Sequence, residues 1–268
     1  VLTDSHCHLA SHRFGTEEVP TLVERARHAG VTRMVSLVTG LDDLDANLGI
    51  AAAHPEVAIG IGIHPCNVHE APDDAVERLR PFTSDPRVCG IGETGLDYYH
   101  PAPDGWTEEA FRQRQRDFLE AHFQLAADAG LNIVIHTRDI TGDASFQDAL
   151  AIYRRHAERV RAVFHCFIGP EQNAREVIAL GGLVSFGGVA TFKNAAEVLA
   201  TAVALPAGSF MLETDSPYLA PIPFRGKRNE PSYVRHVAEH LAGARGESLE
   251  NFAADTTATT SRFFRFAS

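Results

Sequence analysis

The stretch "LTDSHCHLASHRFGTEEVPTLVERARHAGVTRMVSLVT" (Leu2–Thr39) contains the unit that the rest of the chain repeats. Its two ends, Leu2–His8 and Arg33–Thr39, are β-rich apolar runs. Between them "EEVPTLVERARHAG" has the apolar spacing of an amphipathic helix and ends in Gly, a common helix C-cap residue. Strand, helix and strand in that order make a βαβ unit, whose two strands pair in parallel. The alternation continues through "VAIGIGIH" (Val57–His64), "VCGIGET" (Val88–Thr94), "NIVIHT" (Asn132–Thr137), "AVFHCF" (Ala162–Phe167), "GLVSFGG" (Gly182–Gly188) and "FMLETD" (Phe210–Asp215). Helical patterns such as "EEAFRQRQRDFLEAHFQLAADAG" and "PEQNAREVIALGG" separate them and also end in Gly. Eight such units predict an α/β fold, a closed (β/α)8 TIM-like barrel. An open doubly wound sheet is the alternative, but no GxGxxG follows the first strand. No Pro/Ser-rich linker interrupts the chain, so residues 1–268 read as one domain.

Composition agrees with a globular chain: 268 residues, 44% hydrophobic and 22% charged. No apolar run approaches the roughly 20 residues of a membrane span, and no basic-then-apolar signal peptide opens the chain. Cys7, Cys66, Cys89 and Cys166 show no CxxC spacing, which points to reduced thiols and a cytoplasmic location. The net charge of −11 argues against broad electrostatic binding of nucleic acid. It leaves room for a polyanionic substrate if metals and a few local arginines supply positive charge.

In such barrels the active site lies at the C-terminal ends of the strands. His6 and His8 sit there on the first strand, two residues apart and so on one face. Taken alone they are either metal ligands or a pair of half-exposed histidines. Glu93 ends the fourth strand, His136 the fifth, His165 the sixth and Asp215 the eighth. Four imidazoles and two carboxylates converging on one rim are enough for two divalent ions, with one carboxylate bridging. His64, at the end of the third strand, is held apart as a substrate contact. Arg138 shares parity with His136 and reaches either a substrate phosphate or a carboxylate such as Asp139. Strand parity turns Cys7 and Cys166 outward toward the helices, and places Glu213 deeper on the side of Asp215 as a support for a ligand. His28, His54, His122 and His156 fall in helical stretches and read as surface residues. The aromatics of Trp106–Phe111 and Phe118–Leu125 fit the buried side of a long helix.

Together "DSHCHL", "GIHP", "GETGLDYY", "HTRD", "FHCF" and "ETDSPYLAPIPFRGKRNEP" closely resemble the TatD-type metal-dependent deoxyribonucleases of the amidohydrolase-like barrel superfamily. The motifs run from Asp4 to Pro231 in the family's order. The resemblance implies that His6, His8 and Asp215 hold one metal, His136 and His165 the other, and Glu93 bridges. Two departures stand out: His100 follows "DYY" where arginine is common, and "TTATTSRFF" lacks an asparagine often found there.

The resemblance further implies 3′→5′ exonucleolytic hydrolysis of DNA by a water that two metals activate, with Glu93 and Asp215 as the catalytic carboxylates. A general-base role suits Asp215 at that rim. Single-stranded or frayed 3′ ends are the expected substrate, with no obligate protein partner evident. "FRGKRNEP" sets Arg225, Lys227 and Arg228 beside the site, either as substrate contacts or as a solvated loop. Zinc, manganese or magnesium could serve; four histidines favour the first two. The alternatives are a small-molecule amidohydrolase, such as a lactonase or phosphoesterase, and a non-catalytic metal- or nucleic-acid-binding protein. Neither lysine, Lys193 or Lys227, ends strand four or five, where a carbamylated lysine would bridge in many amidohydrolases.

Overall fold

Apolar runs that lack polar alternation need burial on both faces, and the eight predicted strands obtain it by curling into a barrel inside a ring of helices. The structure is a computed structural model describing residues 1–266. Its strands are β1 (Leu2–Cys7), β2 (Val31–Leu37), β3 (Val57–Ile61), β4 (Val88–Tyr98), β5 (Ile133–Asp139), β6 (Ala162–Phe164), β7 (Leu183–Phe186) and β8 (Phe210–Leu212). All neighbours pair in parallel, in sequence order. The helices are α1 (Val19–His28), α2 (Leu44–Ala53), α3 (Ala75–Leu79), α4 (Glu108–Ala129), α5 (Ala144–His156), α6 (Glu171–Ala179), α7 (Ala196–Ala204), α8 (Val234–Arg245) and α9 (Leu249–Phe263). No described helix is long and apolar enough to cross a membrane.

Helix α4 shows how local chemistry fixes these bounds. The Thr107 side chain caps its start by accepting from Ala110 N, and Gly130 ends it in the left-handed conformation at φ 63°. Apolar residues fill two layers. Leu22, Phe123, Leu150 and Val177 pack between sheet and helices. Val35, Val134, Val163, Leu183 and Met211 form a separate cluster with Phe263 and Phe264, which follow β8 in the chain. Val134 and Val163 share strand parity with His136 and His165, so this second cluster is the barrel interior beneath the site.

The strand ends depart from the expected bounds at the rim. Strand β4 runs four residues past Thr94, whereas β6 and β8 stop before His165 and Asp215. Cys166 and Asp215 take positive φ, 46° and 55°, which a ladder cannot accommodate. Strand β1 meets the chain after β8 through a short seam: Asp215 N donates to His6 O at 2.9 Å and His8 N to Ser216 O at 2.8 Å. Below it, Asp4 accepts from the Thr214 amide at 2.8 Å and hydroxyl at 2.6 Å. On β4, Gly95 pairs with His136 at φ 145°, and a Cβ there would overlap the His136 carbonyl. A side chain at residue 95 would push β5 away from β4 at the histidine.

Candidate metal centre

Strand β1 carries His6 into the barrel mouth and the chain beyond carries His8; they are 1% and 8% exposed. Their Nε2 atoms face each other at 3.1 Å. Glu93, 2% exposed, stands between two histidine sets. Its Oε2 is 3.5 Å from His6 Nε2 and 3.4 Å from His8 Nε2. Its Oε1 is 3.0 Å from His136 Nδ1 and 2.9 Å from His165 Nε2. Asp215 Oδ1 closes the first set, 3.8 Å from His6 Nε2 and 3.5 Å from His8 Nε2. All six expected ligands therefore meet in one volume.

The outer ring nitrogens show which face is free. His8 Nδ1 donates to Leu37 O at 3.2 Å, and His136 Nε2 to Asp97 Oδ2 at 3.1 Å. His165 Nδ1 faces Glu213 Oε1 at 3.4 Å, a distance too poorly aligned to satisfy it fully. Holding the proton on the outer nitrogen leaves the inner one as a lone pair, the usual arrangement behind a metal-bound histidine. Glu213 thus supports His165 from below, and also accepts from Cys166 N at 2.8 Å. His6 Nδ1 is buried without a hydrogen-bond partner. Three imidazole lone pairs and two carboxylates aimed at one volume leave it short of positive charge. This donor set fits divalent cations, with nitrogen and oxygen donors suited to zinc or manganese.

Without a cation, protons supply that charge. Burial opposes ionisation of Glu93, yet the charges of His64, His165 and His6 and the His136 hydrogen bond hold its carboxyl well below the usual range. Burial likewise opposes Asp215, but the His8 hydrogen bond and the charges of His6 and His165 keep it low. Burial disfavours protonated His165 too, and the charges of Glu93 and Glu213 overcome it and raise the ring well above an ordinary histidine. Cations and protons compete for these positions.

His64 belongs to a different class. Its Nδ1 accepts from Cys66 N at 3.1 Å, so the neutral ring carries its proton on Nε2, 3.5 Å from Glu93 Oε1. It offers a donor where the ligands offer lone pairs, which matches a substrate contact. Above the centre opens a cavity of about 1580 Å³, lined by His8, His64, Glu93, His136, His165 and Asp215 and rimmed by Arg13, Arg138, Arg225, Lys227 and Arg228. Arg138 lies over the Tyr99 ring at 3.9 Å and Arg225 over Phe192 at 4.2 Å. Asp139, the proposed partner of Arg138, instead accepts from Ser145 N and Oγ at the start of α5. Arg228 pairs with Glu18 at 3.0 Å and donates to Arg13 O, so part of its charge is already engaged.

Three expectations are corrected. Cys7 is buried under the helices as parity predicts, but Cys166 lines the cavity, because its left-handed backbone ends the alternation. His156 is not a free surface residue: it stacks on Phe123 at 4.8 Å and pairs with Glu120 at 2.6 Å. His122 is fully buried. Its Nε2 accepts from Ile63 N at 3.1 Å; its Nδ1 donates to Phe118 O at 2.7 Å and stands 3.1 Å from Thr94 Oγ1. It thereby ties α4 to the residues just before His64 and just after Glu93. The spacing Phe111, Phe118, His122, Leu125 puts it on the apolar face of α4, a signal present in the sequence.

Burial pushes His122 down to about 4. An unfolded histidine titrates near 6.5, so the unfolded state binds more protons between these values and stability rises with pH there. The contribution is complete above about pH 6.5 and is lost as pH falls, by roughly 3 kcal/mol once pH is below about 4. His122→Gln can keep both backbone hydrogen bonds without titrating. Urea unfolding in chelator at about pH 7 and about pH 4.5 is expected to show a smaller pH effect in the variant. Equal pH effects in the two proteins would contradict the buried neutral ring.

Comparison with known proteins gives a consistent result. A sequence model of the family described as "TatD related DNase" matches residues 3–265. The chain is 34% identical over 268 residues to the uncharacterized metal-dependent hydrolase YabD of Bacillus subtilis, covering 99% of both chains. It is 33% identical over 254 residues to the 3′-5′ ssDNA/RNA exonuclease TatD of Cronobacter sakazakii, covering 91% of this chain and 90% of that one. The crystal structure of YjjV, a TatD homolog from Escherichia coli, superposes with a TM-score of 0.87 at 26% identity, covering 98% and 97% of the two chains.

Proposed function

Because this chain belongs to the TatD-related DNase family of metal-dependent hydrolases, we propose that it is a deoxyribonuclease that removes nucleotides from single-stranded or frayed 3′ ends. The observation that carries the reading is Glu93, whose two oxygens each face a separate histidine set inside a cavity rimmed by cations. His6, His8 and Asp215 would hold one divalent ion, His136 and His165 the other, and Glu93 both. Bound there, the ions would polarise a phosphoryl oxygen, lower the pKa of water and stabilise the leaving oxygen. Asp215, held ionised and lining the cavity, accepts the proton of the attacking water. His64 Nε2 donates toward a phosphoryl oxygen. Arg138 and Arg225 meet the phosphate backbone, with Arg228 outside them. The 3′→5′ direction follows the Cronobacter relative. A recessed site suits a strand end better than the middle of a duplex.

The trial uses 3′-labelled and 5′-labelled oligonucleotides, single-stranded and blunt duplex. Stepwise shortening from the 3′ end is expected, faster on single strands, lost in chelator and restored by manganese or magnesium. Turnover of a lactone or ester panel without DNA cleavage, at full metal content, would instead favour a small-molecule hydrolase.

A further inference from the structure

Cys66, Asp97 and His100 form a second donor group beside the cavity, which Asp97 and His100 line, apart from the six residues above. The His136 ring separates it from Glu93: Nδ1 faces Glu93 at 3.0 Å and Nε2 faces Asp97 Oδ2 at 3.1 Å. On the far side of Asp97, His100 Nδ1 is 3.0 Å from the same Oδ2, and Cys66 Sγ is 3.6 Å from His100 Nδ1. One ligand atom from each residue lies within 4.8 Å of the others. We propose that these three residues hold a further divalent cation, zinc by preference, beside the dinuclear centre.

The geometry is close to what zinc requires. Tetrahedral ligands about 2.0–2.3 Å from zinc stand about 3.3–3.8 Å from one another. The sulfur–nitrogen distance already falls in that range, and the nitrogen–oxygen distance needs a few tenths of an ångström. The group is also built in place. Asp97 is 1% exposed, and its Oδ1 accepts from Tyr99 N at 3.0 Å and His100 N at 2.9 Å. Cys66 N is tied to His64. Thiolate and carboxylate together cancel a divalent charge, and the thiol proton leaves as the cation enters. Asp97 and His100 line the cavity, so a water or phosphoryl oxygen can take the fourth position. Sulfur sets this site apart from the nitrogen-and-oxygen centre and selects zinc over magnesium or manganese. It also gives His100, standing where the family resemblance leads one to expect arginine, a use of its own.

Sulfur makes the test independent of nuclease activity. Metal-stripped protein is titrated with cobalt(II) under argon and followed by thiolate-to-cobalt charge-transfer absorption in the near ultraviolet. The expected result is a band saturating at one sulfur–cobalt site per chain, lost in Cys66→Ser and retained in Cys166→Ser. His100→Arg keeps the thiol but removes a ligand, and should raise the half-saturating cobalt concentration at least about tenfold. Absence of the band at saturating cobalt would overturn the site. So would a band that survives Cys66→Ser, one that requires Cys166, or an unchanged half-saturation in His100→Arg. The dinuclear centre has no sulfur donor, so its failure to load would leave the cobalt band untouched.

Discussion

Glu93→Ala is expected to cripple the metal centre, leaving zero or one divalent ion among its six residues. Under the proposed function, turnover of DNA should fall by more than the roughly 10–100-fold typical of losing an outer-sphere partner. The reason lies in the carboxylate's position, with Oε2 against His6 and His8 and Oε1 against His136 and His165. With a cation in each histidine set, removing it would leave two like charges close together with no anion between them. His6→Ala or His8→Ala takes one ligand from one side only, so each should retain more metal. Elemental analysis beside the nuclease assay checks the order of effects. Histidine titration of the stripped proteins by NMR gives a reading free of metal. Despite burial, the Glu93 charge is the leading influence raising His165, so that ring should titrate lower in the variant. Counted in a Cys66→Ser background, which removes the sulfur site, an Ala variant with two metals and near-normal turnover would show that Glu93 does not bridge.

Asp215→Asn tests the proton acceptor. The amide keeps the shape of the side chain but loses the basic oxygen that faces His6 and His8. Turnover should fall by at least the ~10²–10⁴-fold typical of a general base, with weakened metal binding adding to the loss. Measuring metal content separates the two contributions. A rate loss at full occupancy assigns the proton transfer to Asp215. Equal cleavage by wild type and variant would identify a contaminating nuclease instead.

The barrel was legible because parallel strands buried on both faces must be apolar over short runs, and several of the helices between them close near a glycine, as α1, α4 and α6 do. The six clustered residues were legible because strand parity survives to the rim at His6, His8 and His136. Parity failed where the backbone leaves the ladder. Cys166 turns left-handed one residue after His165, so alternation sends it to the wrong side. His122 was misread for another reason: its partners, Ile63 and Thr94, are distant in sequence, and periodicity locates a face without saying what packs there. Likewise no local pattern joins Arg228 to Glu18, or Cys66 to His100.

The seam between β1 and the chain after β8 gives the centre a topological role. His6 and His8 come from one end of the described chain and Asp215 from near the other, joined by two backbone hydrogen bonds and the Asp4–Thr214 contacts. A cation shared by these side chains would act as a removable cross-link closing a loop that contains most of the protein. The entropy of such a closure grows only with the logarithm of loop length, so it is not much more costly than a short one, and it is met once by the folded barrel. An unfolded chain could offer the neighbouring His6 and His8 but not Asp215 with them, so the cation's preference for the complete folded site becomes resistance to unfolding. Metal supply would then govern how long the molecule survives as well as how fast it works.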